Sequence, residues 1–466
     1  MQDYITEAPR QTPVMARAQV LVVGGGSAGY SAAITAARQG ADVLLLERCS
    51  YLGGMSTGGL VIKRDYAGPE CPYGATGGLA HEVWDRIERA GGGYRPSKGK
   101  EGSEDPRDIH YGKLFAPKAF DHAPDTMVLD PEIVKLEAET MVNESGAQII
   151  YCVQVVDTIV EDNRAAGVII EGKEGRRAIL ADIIIDASGD GDAFAHAGAV
   201  FDLGTLEASV NFRIGGVNWN AILEEWGRDP DAYQKKWERE RKRFNCRHGF
   251  WTLGLRPGIA HANMNTDEHV DILDSRALSA AAIEMRAKDR AMLAFLRENV
   301  RGFEDAYIID TAPMIGCRTS RRLRGAAVVD QDEIYRLRSY DDSIMLAACF
   351  FRQDPACYTP ERPRHAVAEI PYGALIPETL DGLLAAGRCI SATYDAIHWI
   401  RDIPFAMASG QAAGIAAALA SAESRHPRDV DVGQIQSRLS DLGAPYQRYA
   451  SASGFEPKDQ HVAASQ

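Results

Sequence analysis

The chain has 466 residues, of which 45% are hydrophobic and 25% charged, the composition of an ordinary soluble globular protein and more chain than one comfortable core holds, so two closely connected domains are expected. Its 51 basic and 65 acidic residues leave a formal charge of −14, which argues against a nucleic-acid surface or an anionic-membrane surface and is neutral about a small substrate. The eight cysteines, at 49, 71, 152, 246, 317, 349, 357 and 389, contain no CxxC pair, so no zinc or iron–sulfur site is expected and a reduced cytoplasmic setting fits.

In chain order, residues 1–17 carry acids early and no continuous apolar segment, which predicts a flexible arm rather than a secretory signal. VLVVGGGSAGYSAA, residues 20–33, then joins a buried strand to a glycine turn and an alanine-rich helix. In such a dinucleotide grip Gly24 and Gly26 allow a tight turn and close approach to a pyrophosphate, and Gly29 lets the helix pack on its strand. The first helical amides, at Ser27 and Ala28, face the phosphates with the positive end of the helix dipole. Gly40 is the expected C-cap, and ADVLLLE is a second buried strand ending in Glu47, 23 positions after Gly24. That spacing is close to the roughly 20 expected for the acid that hydrogen-bonds an adenosine ribose; the alternative is a solvated strand end.

RCSYLGGMSTGGL follows as a glycine-rich loop that brings backbone next to a ligand. A helix over residues 79–89 places Leu79, Val83, Trp84 and Ile87 on or near one face. Residues 91–127 are irregular and form a candidate lid carrying His110, Tyr111 and His122. Order resumes with a helix, a strand, a hairpin turning at residues 161–163, and the buried strand of ADIIIDASGDGD. Residues 206–374 gather Trp219, Trp226, Trp237 and Trp251 and mixed helices such as 276–298, an inserted α+β substrate or cap domain. Residues 375–425 return to a strand, a loop and a small-residue helix from Pro404, and residues 426–466 are a carboxy-terminal extension. No apolar tract approaches the ~20 strongly hydrophobic residues of a membrane span.

GGGSAG, LERCSYLGG, IIIDASGDGD, GCRTSRRLRG and LLAAGRCIS followed by IRDIPFAMASGQAAG occur in an order that resembles the FAD-dependent oxidoreductases of the glutathione-reductase-like two-dinucleotide-binding superfamily, akin to heterodisulfide-reductase-type flavoprotein modules. The resemblance implies an α/β fold whose Rossmann FAD-binding domain is built from residues 18–205 and 375–425. It implies FAD, with the pyrophosphate on residues 24–29, the ribose on Glu47 beside Arg48, and the loop of Gly53, Gly54, Met55 and Ser56 running toward the flavin. It further places Val153 or Val155 at the adenine, Ala187 and Gly189 along the cofactor, and Gly387 and Arg388 beside the ribityl chain. The helix from Pro404 to Ala406 and beyond points its amino terminus at the flavin. Pro404 suits a first turn, and the free amides there can stabilise negative charge on reduced flavin; the plainer alternative is a packed core helix.

A second GxGxxG and a CxxC pair are both missing, which removes an NAD(P)H domain and the disulfide reductase mechanism and leaves the electron acceptor open. His398 is a candidate general base or orienting residue, and Arg401 a candidate holder of an anionic substrate or the flavin C2 carbonyl. Each has a structural alternative, a packed histidine and a salt bridge. Arg318, Arg321, Arg322 and Arg324 form either an anion clamp or a solvated run, with Thr319 standing where the family commonly has an acid. Cys389 is a redox candidate or a small buried residue, and the tryptophans a substrate wall or core. The expected function is hydride transfer between a small organic substrate and flavin N5. The alternatives are a flavin monooxygenase, an electron-relay subunit of a complex, or the same fold holding NAD; homo-oligomerisation is left open.

Overall fold

Residues 20–23 are four consecutive apolar side chains, a pattern that suits a strand covered on both faces, and they occupy the middle of a seven-stranded sheet. In the computed structural model, which describes residues 5, 7–64, 75–96, 103–111, 127–246, 251–350 and 365–448, the first strand is Val14–Val23. Val43–Glu47 and Gly175–Asp186 flank it in parallel, Gln148–Tyr151 lies beyond the former, and Leu383–Ala385 joins the inner end of the latter. The outer end of Gly175–Asp186 is continued by an antiparallel hairpin, Gln154–Glu161 and Arg164–Gly172. Its two turn residues, Asp162 and Asn163, have φ of 47° and 62°, the left-handed pair a two-residue hairpin requires.

That long strand also corrects the reading of residues 1–17 as an arm. Val14 and Ala16 already pair with Ala178 and Ile179, and the Ala178 amide donates to the Pro13 carbonyl. A partner strand extended beyond the sheet centre gives the alternating VMARA segment something to pair with.

Two helices, Ser27–Arg38 and Ile403–Ala422, pack together against the sheet. They meet at backbone distance. A Cβ at Gly410 would lie 2.1 Å from the Ala28 carbonyl oxygen, and one at Gly414 2.5 Å from that of Ala32. Among the described residues Ile403–Ala422 is the one helix long and apolar enough to cross a membrane by length and composition, but 83% of that window is buried inside the protein. Its small residues serve this packing.

A second core lies under a four-stranded antiparallel sheet, ordered Thr252–Leu253, Ala260–Val270, Leu206–Gly215 and Tyr307–Thr311. Val210, Phe212, Ile214, Ala262 and Met264 are buried with Met285, Met292 and Leu296 of helix Ser275–Asn299. The alternating positions 209, 211, 261, 263 and 265 are Ser, Asn, His, Asn and Asn, so the opposite face of the two central strands is polar. Trp219, Trp226 and Trp251 belong to this core, and Trp237 packs against it. The core ends at Ala312, whereas Leu323, Val329 and the hairpin Ser343–Phe350 with His365–Pro371 pack with the first core. The packing therefore divides the expected 206–374 unit.

Residues 103–111, the described portion of the candidate lid apart from its start, are docked on the second core. The Tyr111 hydroxyl donates to the Leu253 carbonyl at 2.5 Å, Arg107 Nη1 donates to that of Leu255 at 3.1 Å, and the buried His110 ring stacks on Trp251 at 5.7 Å. His122 lies outside the described residues.

Asp289, on helix Ser275–Asn299, is fully buried with neither carboxylate oxygen hydrogen-bonded. Burial, opposed by Arg286, pushes its pKa up to about 7. A carboxyl that binds its proton more tightly folded than unfolded supports the fold below its unfolded pKa and gives that support up as pH rises through about 7. Asp289→Asn is expected to flatten the loss of thermal stability between pH 4 and pH 8, a difference on the order of 2 kcal/mol at the alkaline end. Melting curves of both proteins across that range check it, and parallel pH profiles would refute the assignment.

Candidate active site

A cleft of about 970 Å³ opens at the carboxyl ends of the parallel strands, between the large sheet and the polar face of the second one. Its position follows from topology, since ligands of open α/β sheets lie in the crevice outside those strand ends.

The three motif glycines differ in what requires them. At Gly24, with φ of 97°, a Cβ would lie 2.7 Å from the Ala187 oxygen, and at Gly29 it would lie 1.7 Å from the Gly24 oxygen. At Gly26 nothing lies within 4 Å of a Cβ. The first and third glycines are demanded by the protein's own packing, whereas the second faces open cleft. Gly26 is also the N-cap of helix Ser27–Arg38, with no side chain capping its amides.

Glu47 stands at the end of its strand, 8% exposed, and both oxygens are engaged: Oε2 accepts from the Gly25 amide and Oε1 from the Cys49 amide, each at 2.7 Å. It therefore fixes the glycine turn as well as facing the cleft. The following loop is zipped to the same turn. The Gly53 amide donates to Gly25 O at 2.9 Å, Ser27 Oγ lies 3.2 Å from Ser56 Oγ, and a Cβ at Gly54 would lie 3.0 Å from Gly26 Cα.

At the next strand end, Asp186 accepts from the Ser188 amide and hydroxyl and from the Phe194 amide, which shapes the turn that follows. Its complete burial raises its pKa to about 6 against those hydrogen bonds. Asp190 sits in this turn, where Arg388 Nη2 reaches its Oδ1 at 2.6 Å and the Ser320 hydroxyl donates to the same oxygen at 2.7 Å. Burial opposes ionisation of Asp190, but the Arg388 charge and these hydrogen bonds outweigh it and hold the carboxyl below its ordinary value. Arg388 is thus anchored in the cleft wall by two segments of chain that are remote from it in sequence, through Asp190 and through the Ser320 hydroxyl, to which its Nη1 donates at 3.0 Å.

The carboxy-terminal segment completes the wall. Gly387, with φ of 81°, donates its amide to Ser409 Oγ at 2.9 Å, and a Cβ there would lie 2.9 Å from Ala28 Cβ. Helix Ile403–Ala422 presents an amino terminus at which Asp402 makes no side-chain cap, and Pro404 occupies the first turn. His398 and Arg401, from the short helix Tyr394–Ile400 and its C-cap, line the same region; the His398 ring meets Tyr394 edge-on at 5.3 Å.

Of the residues singled out by sequence, Gly24, Gly26, Ser27, Ala28, Glu47, Arg48, Gly54, Met55, Val155, Ala187, Gly189, Gly387, Arg388, Pro404, Ala406, His398 and Arg401 line the cleft together. Gly29, Gly53 and Ser56 stand behind it as supports. The arginine run does not converge into a clamp. Arg318 lines the cleft with hydrogen bonds to Glu207 O and Asn265 Oδ1, while Arg321 pairs with Asp192 and Arg324 with Asp202. Arg322 is buried on Ala392 O and Thr319 Oγ1. Cys389 is fully buried, bonded back to Asp186 O and Ala386 O, and burial drives its thiol far above the ordinary range, so it is a packed residue rather than a redox group. Sequence reasoning missed Asp190 and the Ser320 that holds it, although GDGD and TSRR contain them, and also missed Asn211, His261 and Asn263 on the antiparallel sheet.

Digeranylgeranylglycerophospholipid reductases 1 and 2 of Methanopyrus kandleri are 28% identical over 172 and 173 residues, 36% of this chain and 39% and 37% of theirs, so the chain spans about two fifths of the length of these curated relatives. Among solved structures, a geranylgeranyl bacteriochlorophyll reductase-like protein from Thermoplasma acidophilum aligns with 92% of this chain and 84% of its own at 16% identity and a TM-score of 0.48. The p-nitrophenol 4-monooxygenase PnpA of Pseudomonas putida aligns with 92% and 86% at 13% identity and 0.48. The family model described as FAD dependent oxidoreductase matches residues 19–439, and the chain belongs to that family, an oxidoreductase with FAD as its cofactor.

Proposed function

We propose that FAD lies along this cleft and, when bound, supplies two-electron chemistry by hydride transfer between its N5 and a small organic substrate. The observation that carries the reading is the contrast among the glycines: Gly26 alone of the three motif positions is free of any internal packing demand. The cradle its missing side chain leaves, beside uncapped helix amides, fits a diphosphate. Glu47 would take the ribose with the remaining lone pairs of its oxygens, and residues 153–155 would face the adenine.

In this reading residues 18–205 and 375–425 act as the FAD-binding unit in the glutathione-reductase-like manner, and the second core, residues 206–312, as the inserted cap. Arg388, held by Asp190 and Ser320, keeps its place beside the ribityl chain without moving when cofactor enters. The amino terminus of Ile403–Ala422 stabilises negative charge at the ring. His398 accepts the proton of a substrate hydroxyl, and Arg401 holds an anionic substrate group or the ring's C2 carbonyl. The cap closes over this end and limits water there.

Gly26→Val is expected to fold with unchanged circular dichroism and to purify without flavin, since the added side chain meets cofactor space and no protein atom at its Cβ. A yellow variant with full flavin content would refute the placement. Glu47→Ala is expected to weaken FAD by about 1–2 kcal/mol, read by titrating apoprotein with FAD. His398→Ala should keep its flavin yet slow anaerobic bleaching by substrate by about a hundredfold or more. Bleaching at the wild-type rate removes His398 from the proton transfer.

A further inference from the structure

Asn211 and Asn263 are register partners on the two central strands of the cap sheet, and both line the cleft. Asn211 is 1% exposed, and its Nδ2 donates to the Gly59 carbonyl at 2.7 Å. That bond fixes which way the carboxamide points, so the atom left without a partner is the acceptor, Oδ1. Asn263 Oδ1 is likewise buried and without a hydrogen-bond partner. A buried polar atom left unpaired costs about 1–3 kcal/mol, and two carboxamide oxygens, both acceptors, supply no donor to one another.

The same wall is tied to the glycine loop. His261 Nε2 lies 2.9 Å from the Leu60 carbonyl, one residue after the carbonyl that Asn211 holds. Asn211 and His261 therefore tie this wall to residues 59–60, the stretch of chain that, in the FAD reading, leads away from the flavin. Directly opposed residues on an antiparallel pair have Cβ atoms about 5 Å apart, so donors on nearby carbons of one small molecule can reach both oxygens. A hydrocarbon chain placed there supplies no donor and leaves both penalties in force.

We infer that Asn211 and Asn263 form the substrate-reading face of the cap, and that the substrate is a polar small molecule presenting at least two hydrogen-bond donors, hydroxyl or amino groups, to their Oδ1 atoms. This rests on FAD occupying the cleft as proposed above. It sets the chain apart in chemistry from an enzyme whose pocket receives a prenyl chain.

The test uses flavin-loaded protein under anaerobic conditions, titrated separately with sorbitol, glucosamine and farnesol while the flavin absorbance is followed. Sorbitol or glucosamine is expected to perturb or bleach the spectrum and farnesol to leave it unchanged. Asn263→Leu, which touches no bond to the glycine loop, is expected to retain flavin and raise the half-saturating probe concentration by about tenfold or more. Asn211→Leu should do the same, and Asn263→Leu decides the matter if that variant folds poorly. A response to farnesol alone, no response of loaded protein to either hydroxylated probe, or unchanged half-saturation in Asn263→Leu overturns the inference. A wild-type preparation that binds no flavin defeats the reading beneath it instead, so the two failures are distinguishable.

Discussion

Backbone contact between helices Ser27–Arg38 and Ile403–Ala422 is the constraint on which the site depends. Residues near 26 and residues near 403 line one cleft, and they are neighbours because Gly410 and Gly414 admit the Ala28 and Ala32 carbonyls at distances no side chain allows. Ser409, one position before the first of these glycines, accepts from the Gly387 amide, so the same helix also sets the chain that follows strand Leu383–Ala385. A larger residue at 410 would push apart the two helix termini that line one cleft, and the cleft would lose its shape before it lost its residues.

What the sequence made legible is what local pattern determines. Residues 20–47 are read correctly because strand, turn and helix there each obey a short-range rule, and the hairpin at residues 161–163 because two left-handed residues suit Asp and Asn. Boundaries that depend on a remote partner were not legible. Val14 joins the sheet only because Gly175–Asp186 runs long enough to meet it, and residues 323–376 belong to the first core because their hairpin packs with helix Ile403–Ala422, a contact no local window contains.

The same distinction applies to the charges. Four arginines in GCRTSRRLRG look concentrated on paper, yet strand alternation sends Arg321 and Arg322 to opposite sides, and the acids that meet the run, Asp192 and Asp202, lie more than a hundred residues away. Asp190 was missed for the complementary reason. Nothing in GDGD says that one acid accepts from Arg388 while its neighbour Asp192 pairs with Arg321, and only the folded turn after Asp186 separates their roles.

That turn shows how buried carboxylates make the cleft rigid. Asp186 is desolvated enough to raise its pKa to about 6, but two backbone amides and a hydroxyl satisfy it, so the strain of burying it is converted into a fixed backbone path. Asp190, a few residues on, is stabilised as an anion by Arg388 and Ser320, and it locks a cation into the wall. Glu47 does the corresponding work at the glycine turn by receiving two amides. In each case the carboxylate is satisfied from within the protein, so the wall is set before any ligand arrives. The cap differs. Asn211 Oδ1 and Asn263 Oδ1 are buried and unsatisfied, so these two acceptors, unlike the three carboxylates, are left for a ligand to complete.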